Sequence, residues 1–262
     1  MFASKRNLAH KRILLTGASS GIGRALAMAL SQEKATLILT ARREDRLAEL
    51  AAAIQREGTE AHFLAGDIAD PELRTQLLDA AAECFGGLDV LVNNAGVGGL
   101  GTFASADAAR LRRIMEVNFF APAELMRGAL PLLAASQDGL IVNVGSVLGH
   151  VAVPKKSEYC ASKFALHGLT DALRMELAED GIDVLLISPS TTRSEFFDRA
   201  LRSQGEAASH GRSMSVEQVA SRIVNAIKHR RREIILSTSG TALVWADRLF
   251  PTILGRVLRR YG

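Results

Sequence analysis

Short apolar runs, many of them rich in β-branched residues, alternate along the chain with longer stretches in which apolar residues recur at helical spacing. The short runs predict buried strands, and the periodic stretches predict amphipathic helices. The predicted strands lie near residues 12–16, 35–40, 60–65, 88–92, 139–145, 182–188 and 233–236. The predicted helices lie near residues 22–33, 44–57, 71–85, 107–135, 158–180 and 215–230.

Regular alternation of strand and helix predicts βαβ units, which place parallel strands in one sheet with helices on both faces. The expected fold class is therefore α/β, with a single-domain Rossmann-type doubly wound sheet of about seven parallel strands. No linker, repeat or low-complexity tract divides the chain, so we expect one domain over residues 1–262. Ligands of such sheets bind beyond the carboxyl ends of the strands, near the point where the strand order reverses.

Composition narrows the class further. The chain has 262 residues, of which 48% are hydrophobic and 23% charged, as in ordinary globular proteins. No apolar run approaches the roughly 20 residues that span a bilayer, and the first residues lack the apolar core of a signal peptide, so we expect a cytoplasmic protein. The two cysteines, Cys84 and Cys160, are expected to be free thiols.

Charge and histidine spacing argue against two other classes of protein. The net charge is +4, but the basic run at 229–233 is interpreted as a solvated helix end, so no nucleic-acid partner is expected. The six histidines show no metal-ligand spacing and no paired cluster, so no metal site is predicted.

A glycine-rich loop, Thr16-Gly-Ala-Ser-Ser-Gly-Ile-Gly23, joins the first predicted strand to the first helix. Glycines in such a loop allow a tight turn and the approach of a pyrophosphate to the amides of a helix N-terminus. The second strand ends without an acid and is followed by Arg42 and Arg43, while Arg24 lies in the first helix. Arginines at this position accommodate the 2′-phosphate of NADP(H). We therefore expect the protein to bind NADP(H) in preference to NAD(H).

Tyr159 and Lys163 are four residues apart in a predicted helix, which places the phenol and the ammonium about one turn apart on one face. A cation about 4 Å away would favour the phenolate by roughly 4 kcal/mol at an effective dielectric of about 20, or about three pK units. Burial opposes this effect, so we expect a smaller net lowering of the Tyr159 pKa. Such a tyrosine serves as a general acid or base.

Ser146, directly after the fifth strand, can donate a hydrogen bond to a substrate oxygen and stabilise developing charge. The local sequence, Val-Gly-Ser-Val-Leu-Gly, shifts the spacing that a hydrolase of the Gly-x-Ser-x-Gly type requires. Together with the glycine loop, these residues favour redox chemistry over hydrolysis.

In this order the motifs resemble the short-chain dehydrogenase/reductase family, over almost the whole chain. The glycine loop is similar to the cofactor loop of that family, Asp67 to its adenine-contacting aspartate, and Asn93-Asn-Ala-Gly96 to the motif that steadies the central sheet. The resemblance implies a catalytic set of Asn118, Ser146, Tyr159 and Lys163. It also implies that Lys163 binds the nicotinamide ribose and that Asn118 helps to hold a water that relays protons.

The residues expected to bind the cofactor combine the loop, the arginines and the matched motifs. They are Thr16, Gly17, Ser19, Ser20, Gly21, Ile22, Gly23, Arg24, Arg42, Arg43, Asp67, Ile68, Asn94, Ala95, Gly96, Tyr159, Lys163, Pro189 and Ser194. One departure follows the sixth strand, where the family usually has Pro-Gly and this chain has Pro189-Ser190. Serine restricts the backbone where glycine is free, which places the local loop geometry in doubt.

Substrate recognition is expected in the segment of about 195–214, with Phe196 and Phe197 either forming an apolar wall or anchoring the loop. The expected substrate is a small carbonyl or alcohol, most simply an apolar one. The helical tail of about 240–262, with a break at Pro251, could rest on an anionic membrane surface. The interpretation we favour has the tail packing on its own subunit or covering the substrate mouth.

The leading hypothesis is an NADP(H)-dependent carbonyl reductase or alcohol dehydrogenase. A non-catalytic NADP(H) sensor or scaffold on the same fold, and an epimerase or dehydratase, remain alternatives. The resemblance also implies a homodimer or homotetramer formed through the long helices that contain Asn118 and Tyr159.

Overall fold

The computed structural model describes residues 4–192, 196, 200–202 and 213–261. Its main sheet has seven strands, all parallel, which confirms the predicted doubly wound architecture. These strands are β1 (Arg12–Thr16), β2 (Thr36–Ala41), β3 (Ala61–Ala65), β4 (Val90–Asn93), β6 (Leu140–Val144), β7 (Asp183–Ser188) and β9 (Glu233–Ile235). Their spatial order is β3-β2-β1-β4-β6-β7-β9, so the order reverses between β1 and β4.

A second pairing joins β5 (Gly99–Leu100) to β8 (Leu201–Arg202) in a two-stranded parallel ladder. Neither strand was predicted, because two residues carry no detectable hydrophobic period.

The helices cover both faces of the sheet. They are α1 (Gly21–Gln32), α2 (Glu44–Arg56), α3 (Pro71–Phe85), α4 (Ala108–Met115), α5 (Ala121–Ala134), α6 (Ser157–Glu176), α7 (Val216–Lys228), α8 (Thr238–Leu249) and α9 (Pro251–Leu258). Successive strand residues point to opposite faces. Ile13 and Leu15 therefore pack with α1, α2 and α7, whereas Leu14 between them packs with α3, α5 and α6.

The long helix predicted over residues 107–135 is interrupted by a π-helical turn at Glu116–Phe120. The cause is visible in the sequence, because Pro122 has no N–H to donate to the carbonyl of Asn118 four residues earlier. The α-helical pattern therefore cannot pass through this point unchanged. As a result, Asn118 lies in the π-helical turn.

One helix end differs from the prediction, and the break in the tail agrees with it. α6 ends at Glu176 rather than near residue 180, because the chain turns toward β7 through Gly181, whose φ is 70°. The C-terminal tail forms two helices, α8 and α9, which meet at Phe250 and Pro251, where the break was expected. Among the described residues, none of these helices is both long and apolar enough to cross a bilayer.

Candidate active site

A cleft of about 870 Å³ lies at the carboxyl ends of the central strands, where the strand order reverses. It brings together most of the residues predicted for the site. Those lining it are Gly17, Ser19, Ser20, Gly21, Ile22, Gly23, Arg42, Arg43, Asp67, Ile68, Asn94, Ala95, Gly96, Ser146, Tyr159, Lys163 and Pro189. Predicted Ser194 lies outside the described residues, as does most of the segment 195–214.

The glycine loop is held by close packing of the protein on itself. Gly17 has a φ of 71°, and a Cβ placed on it would lie 2.8 Å from the Cα of Ala95. A Cβ on Gly23 would lie 2.2 Å from the carbonyl oxygen of Gly17. Both positions therefore need glycine for the loop to pack against α1 and the turn after β4. This requirement of the fold is separate from the expected role of the loop in binding a pyrophosphate.

Thr16 supports the loop from beneath and does not line the cleft. Its Oγ1 accepts hydrogen bonds from the backbone N–H groups of Asn94 at 3.0 Å and Ala95 at 2.9 Å. The side chain of Asn94 in turn donates to the Thr16 carbonyl at 2.9 Å and the Gly17 carbonyl at 3.3 Å. These bonds tie the turn after β1 to the turn after β4, across the reversal of strand order.

The amino end of α1 faces the cleft. Ser20 occupies the N-cap position without a side-chain capping bond, so its hydroxyl is not used to satisfy the first-turn N–H groups. Such a helix end suits an anion. Ser19 beside it accepts hydrogen bonds from Arg43 Nε at 3.2 Å and Nη2 at 3.1 Å, which fixes this guanidinium at the end of β2.

The three arginines proposed for the cofactor are not equivalent. Arg42 and Arg43 line the cleft, whereas Arg24 does not. The guanidinium of Arg24 is about half exposed and pairs with Glu49 at 3.4 Å on the neighbouring helix. The structure therefore places two of the predicted arginines at the cleft and the third outside it.

Asp67 follows β3, and its carboxylate has two partners. Oδ1 accepts from the backbone N–H of Ala69 at 3.1 Å, and Oδ2 is paired with Arg113 on α4. Partial burial would raise the pKa of Asp67, but the bonds from Ala69 and Arg113 outweigh it and hold the pKa below its ordinary value. Arg113 lines the cleft and was missed, because one arginine on a solvated helix has no signature in the sequence.

Tyr159 and Lys163 lie together in the cleft, as their spacing on α6 predicted. Both are buried, and Lys163 Nζ is 5.9 Å from the centroid of the Tyr159 ring. Nζ donates a hydrogen bond to the Val144 carbonyl at 2.9 Å, which anchors the side chain at the end of β6. Ser146, two residues later, is hydrogen-bonded with the Tyr159 phenol.

The expected net lowering of the Tyr159 pKa is wrong for this structure. Burial raises the pKa of Tyr159 above its ordinary value, and the hydrogen bond with Ser146 opposes the rise only in part. Burial also lowers the pKa of Lys163 to about 8. The spacing argument treated the ammonium as the dominant effect, whereas both groups are 4% exposed and burial disfavours the charged form of each.

Asn118 lies behind the cleft and does not line it. Its Oδ1 accepts from the Val97 N–H at 2.8 Å, and its Nδ2 donates to the Val97 carbonyl at 2.9 Å and to Ser162 Oγ at 3.0 Å. The side chain thus joins the π-helical turn to the strand-4 loop and to α6. These bonds fix the loop at Val97, next to Gly96, and the tyrosine helix at Ser162.

A second rim of the cleft, here named the apolar rim, has large apolar side chains beside several polar ones. It includes Phe196, whose ring centroid lies 5.9 Å from that of Tyr159, and Leu243 on α8. The lining residues that were not predicted on this side include Leu148, Val153, Lys156, Thr191, Thr192, Ser239 and Gly240. α8 therefore covers part of the mouth, one of the two arrangements favoured for the tail.

Ser190, the residue that replaces the usual glycine, also lines the cleft. Among the described residues, the non-glycine residues with a positive φ are His10, Lys34, Lys155 and Arg230. Ser190 is not one of them, so the loop adopts a conformation that serine tolerates without left-handed strain.

A histidine pair lies beside the cleft, and its existence corrects the statement that the histidines form no paired cluster. The rings of His150 and His167 are 4.3 Å apart, and His150 Nε2 lies 2.8 Å from Ser188 Oγ and 3.5 Å from Glu233. Burial, with smaller contributions from nearby charges, lowers the pKa of His150 to about 4. The residues come from different elements, so sequence spacing could not reveal the pair.

Comparison with known proteins agrees with this geometry. Residues 11–205 match the family described as short chain dehydrogenase. The ketoacyl reductase HetN of Nostoc sp. is 33% identical over 97% of this chain and 90% of its own length. A dehydrogenase/reductase SDR family protein 7-like of Anopheles gambiae is 32% identical over 99% and 86%, respectively.

Two solved structures have the same fold. A short chain dehydrogenase/reductase from Burkholderia phymatum in complex with NAD has a TM-score of 0.84 and 27% identity, covering 93% of this chain and 94% of that one. A short-chain dehydrogenase from Sphingobium yanoikuyae in complex with NADPH has a TM-score of 0.81 and 29% identity, covering 94% and 95%. Nicotinamide dinucleotides of both kinds are therefore bound by relatives of this chain.

Proposed function

This chain belongs to the short-chain dehydrogenase/reductase family of oxidoreductases, and on that premise we propose that it transfers a hydride between a nicotinamide dinucleotide and a carbonyl or secondary-alcohol substrate. The observation that carries the proposal is the meeting of Ser146, Tyr159 and Lys163 in the same cleft as the glycine loop. A binding protein without catalysis has no need for a buried phenol hydrogen-bonded to a serine beside a buried ammonium.

Each of the three residues has a separate task. When bound, reduced nicotinamide supplies the hydride that converts a carbonyl to an alcohol, and the carbonyl oxygen then requires a proton. Tyr159 donates this proton, since a phenol is already protonated at neutral pH at its ordinary pKa of about 10. Burial makes release of the proton harder, and the hydrogen bond with Ser146 offsets part of that effect. Ser146 lies beside the phenol and donates a hydrogen bond to the same oxygen as charge develops on it.

Lys163 acts on both the protein and the cofactor. Its Nζ is held by the Val144 carbonyl and retains two further N–H donors for groups in the cleft, such as a ribose hydroxyl. A pKa of about 8 leaves the ammonium mostly charged at neutral pH. That charge favours the phenolate left on Tyr159 after proton donation.

NADP(H) is the proposed cofactor. Arg42 and Arg43 stand at the end of β2, where the ribose 2′ position is recognised in this type of fold, and no acidic residue stands at that strand's tip. The hydrogen bonds from Arg43 to Ser19 hold one guanidinium at the edge of the cleft. Relatives with NAD and with NADPH are both known, so the preference rests on the arginines of this chain.

The substrate is proposed to be apolar. Phe196, Val153, Leu148 and Leu243 line the cleft, and the Phe196 ring centroid lies 5.9 Å from that of Tyr159. Burial of substrate carbon against these side chains contributes about 25 cal/mol per Å². An aliphatic or lipid-like ketone, an aldehyde or a hydroxysteroid satisfies this description.

An oligomer is proposed as the working form, through the helices that carry Asn118 and Tyr159. Phe120 and Phe164 on these helices are 46% and 43% exposed, although both are large apolar side chains. A second copy would cover them in a symmetric dimer. Light scattering on the purified protein measures the mass directly.

The proposal is tested by titrating the protein with NADPH and NADH and then following the reduced-nicotinamide absorbance with a panel of aldehydes, ketones and steroids. We expect tighter binding of NADPH, and its consumption with at least one apolar carbonyl. Binding without consumption across the panel and with the matching alcohols and oxidised cofactor would favour a sensor. Absence of binding to either dinucleotide would overturn the proposal.

A further inference from the structure

The C-terminal helices leave a large apolar surface exposed. Its members, here named the C-terminal patch, are Trp245 (54% exposed), Leu249 (62%), Phe250 (57%), Ile253 (60%) and Val257 (45%). They follow helical spacing, with Trp245 and Leu249 one turn apart on α8 and Ile253 and Val257 one turn apart on α9. Five large apolar side chains exposed within thirteen consecutive residues of a folded chain indicate a place of contact.

The same two helices are firmly packed on their other side. Val244 of α8 is buried with Val147 and Val151, and Leu254 and Leu258 of α9 pack against this cluster. The patch therefore does not result from an undocked tail. Each helix has one apolar stripe for the protein and a second stripe that faces outward.

Positive charge borders the outward stripe. From Trp245 on, the chain has four arginines, Arg248, Arg256, Arg259 and Arg260, and one acidic residue, Asp247. With about 100° between successive helical residues, Arg256 and Arg260 lie next to Ile253 and Val257, on the side away from Leu254 and Leu258. Arg248 lies 5.8 Å from the Trp245 ring centroid. Long arginine side chains can extend past an apolar contact to reach charged groups.

The patch is adjacent to the mouth of the cleft. Ser239, Gly240 and Leu243 of α8 line the cleft, and Trp245 and Leu249 occupy the outward face of the same helix. A surface that covers the patch therefore lies beside the opening on the apolar rim.

We propose that the C-terminal patch docks on the surface of an anionic lipid bilayer, with Trp245, Leu249, Phe250, Ile253 and Val257 in the headgroup and acyl boundary and the arginines on lipid phosphates. An interfacial helix combines these two features, an apolar stripe and a basic border. A second copy is a poorer occupant, because a symmetric contact through this patch would bring the arginines of both copies together. Supply of an apolar substrate from the bilayer to the cleft rests on the proposed function, whereas the docking itself does not.

The chain's single tryptophan, Trp245, is a built-in probe of this contact. We expect its emission to shift to shorter wavelength on addition of vesicles of phosphatidylcholine mixed with phosphatidylglycerol, and vesicles with brominated acyl chains to quench it. Vesicles of phosphatidylcholine alone should bind more weakly, and added salt should weaken binding to the anionic vesicles. No spectral change and no flotation of the full-length protein with anionic vesicles would overturn the proposal.

Two pairs of substitutions separate the apolar and the charged contributions. Ile253→Ser with Val257→Ser should lower partition to anionic vesicles at least about tenfold. Arg256→Gln with Arg260→Gln should lower it by about 30-fold at low salt and flatten its salt dependence. Met175→Ser, an exposed apolar residue on α6, and Arg56→Gln, an exposed arginine on α2, are matched controls that should bind as wild type.

Folding controls and three further outcomes complete the test of docking on lipid. Far-UV circular dichroism and thermal melting show whether each variant remains folded. If the serine variant does not fold, the arginine variant provides the test. Unchanged partition of the folded variants would overturn the proposal. A tryptophan shift that depends on protein concentration without lipid, with a rise in mass by light scattering, would assign the patch to a second copy. Binding to vesicles without any activity would retain the docking and refute only the proposed function.

Discussion

The two rims of the cleft are built from different interactions. On the glycine-loop rim, polar side chains bond to named partners: Thr16 to the Asn94 backbone, Arg43 to Ser19, and Asp67 to Arg113. The rim formed by Phe196 and α8 offers the large apolar side chains of Leu148, Phe196 and Leu243, among polar neighbours. Polar groups fixed by directional bonds select a ligand whose own polar groups match them in position. Apolar contact has no direction, so it selects only for an apolar surface of suitable size. This difference explains why the cofactor is easier to infer than the substrate.

The largest effect is expected where the two rims meet. Tyr159→Phe removes the proton donor and keeps the ring, so turnover should fall by about 10²–10⁴-fold, the usual contribution of a general acid. Affinity for NADPH should change little, because the glycine loop, Arg42 and Lys163 are left in place. Steady-state rates with an active carbonyl and a fluorescence titration with NADPH measure the two quantities. Comparable turnover in the variant would refute the assignment of the proton donor.

A somewhat smaller effect on turnover, combined with a loss of cofactor affinity, is expected for Lys163→Ala. The substitution removes a charged donor from the Val144 carbonyl and from the cleft. Hydrogen bonds to charged groups contribute about 1.5–3 kcal/mol, so the Kd of NADPH should rise about tenfold or more. Lys163→Arg is the matched control, because it retains the charge and should recover part of the affinity. If Lys163→Ala lost turnover but kept its affinity for NADPH, Lys163 would act on Tyr159 and would not bind the cofactor.

Two arginines sharpen the comparison, one at the glycine-loop rim and one outside the cleft. Arg42→Asp should reverse or abolish the preference for NADPH over NADH, changing the ratio of kcat/KM values by at least about tenfold. Arg24→Asp is its control, because Arg24 pairs with Glu49 outside the cleft and its replacement should leave the ratio near that of wild type. Equal effects of the two substitutions would show that net charge, rather than position, decides the preference.

The smallest effect on activity is expected at His150, beside the apolar rim. Its pKa is lowered to about 4 in the folded protein from an ordinary 6.5, so the unfolded chain binds the proton first as the pH falls. The contribution of His150 to the free energy of unfolding is complete above about pH 6.5. It is lost as the pH falls from there to about 4. The loss from this residue is at most about 3 kcal/mol.

Urea unfolding across that pH range measures the loss. His150→Gln should flatten the pH dependence, whereas His229→Gln, at an exposed helix end, should leave it unchanged. An equal slope in wild type and His150→Gln would show that other groups account for the acid sensitivity.

Much of the nucleotide side of this protein was determined by the sequence itself. Strand and helix positions followed from hydrophobic period, because burial on both faces of a parallel sheet demands it. The Gly17 to Gly23 loop and the Tyr159–Lys163 pair were also predictable, since they depend on residue type at short spacing. Pro122 could even have indicated the π-helical turn at Asn118, because a missing N–H is a local property.

Tertiary structure decided what depends on distant elements coming together. It paired Arg113 with Asp67, placed Arg24 outside the cleft, and brought His150 to His167. It also decided protonation, because burial, which no spacing shows, raises the pKa of Tyr159 where a neighbouring charge alone would lower it. The exposed stripe of α8 and α9 has the same origin, since an apolar residue becomes a surface only when the fold leaves it uncovered.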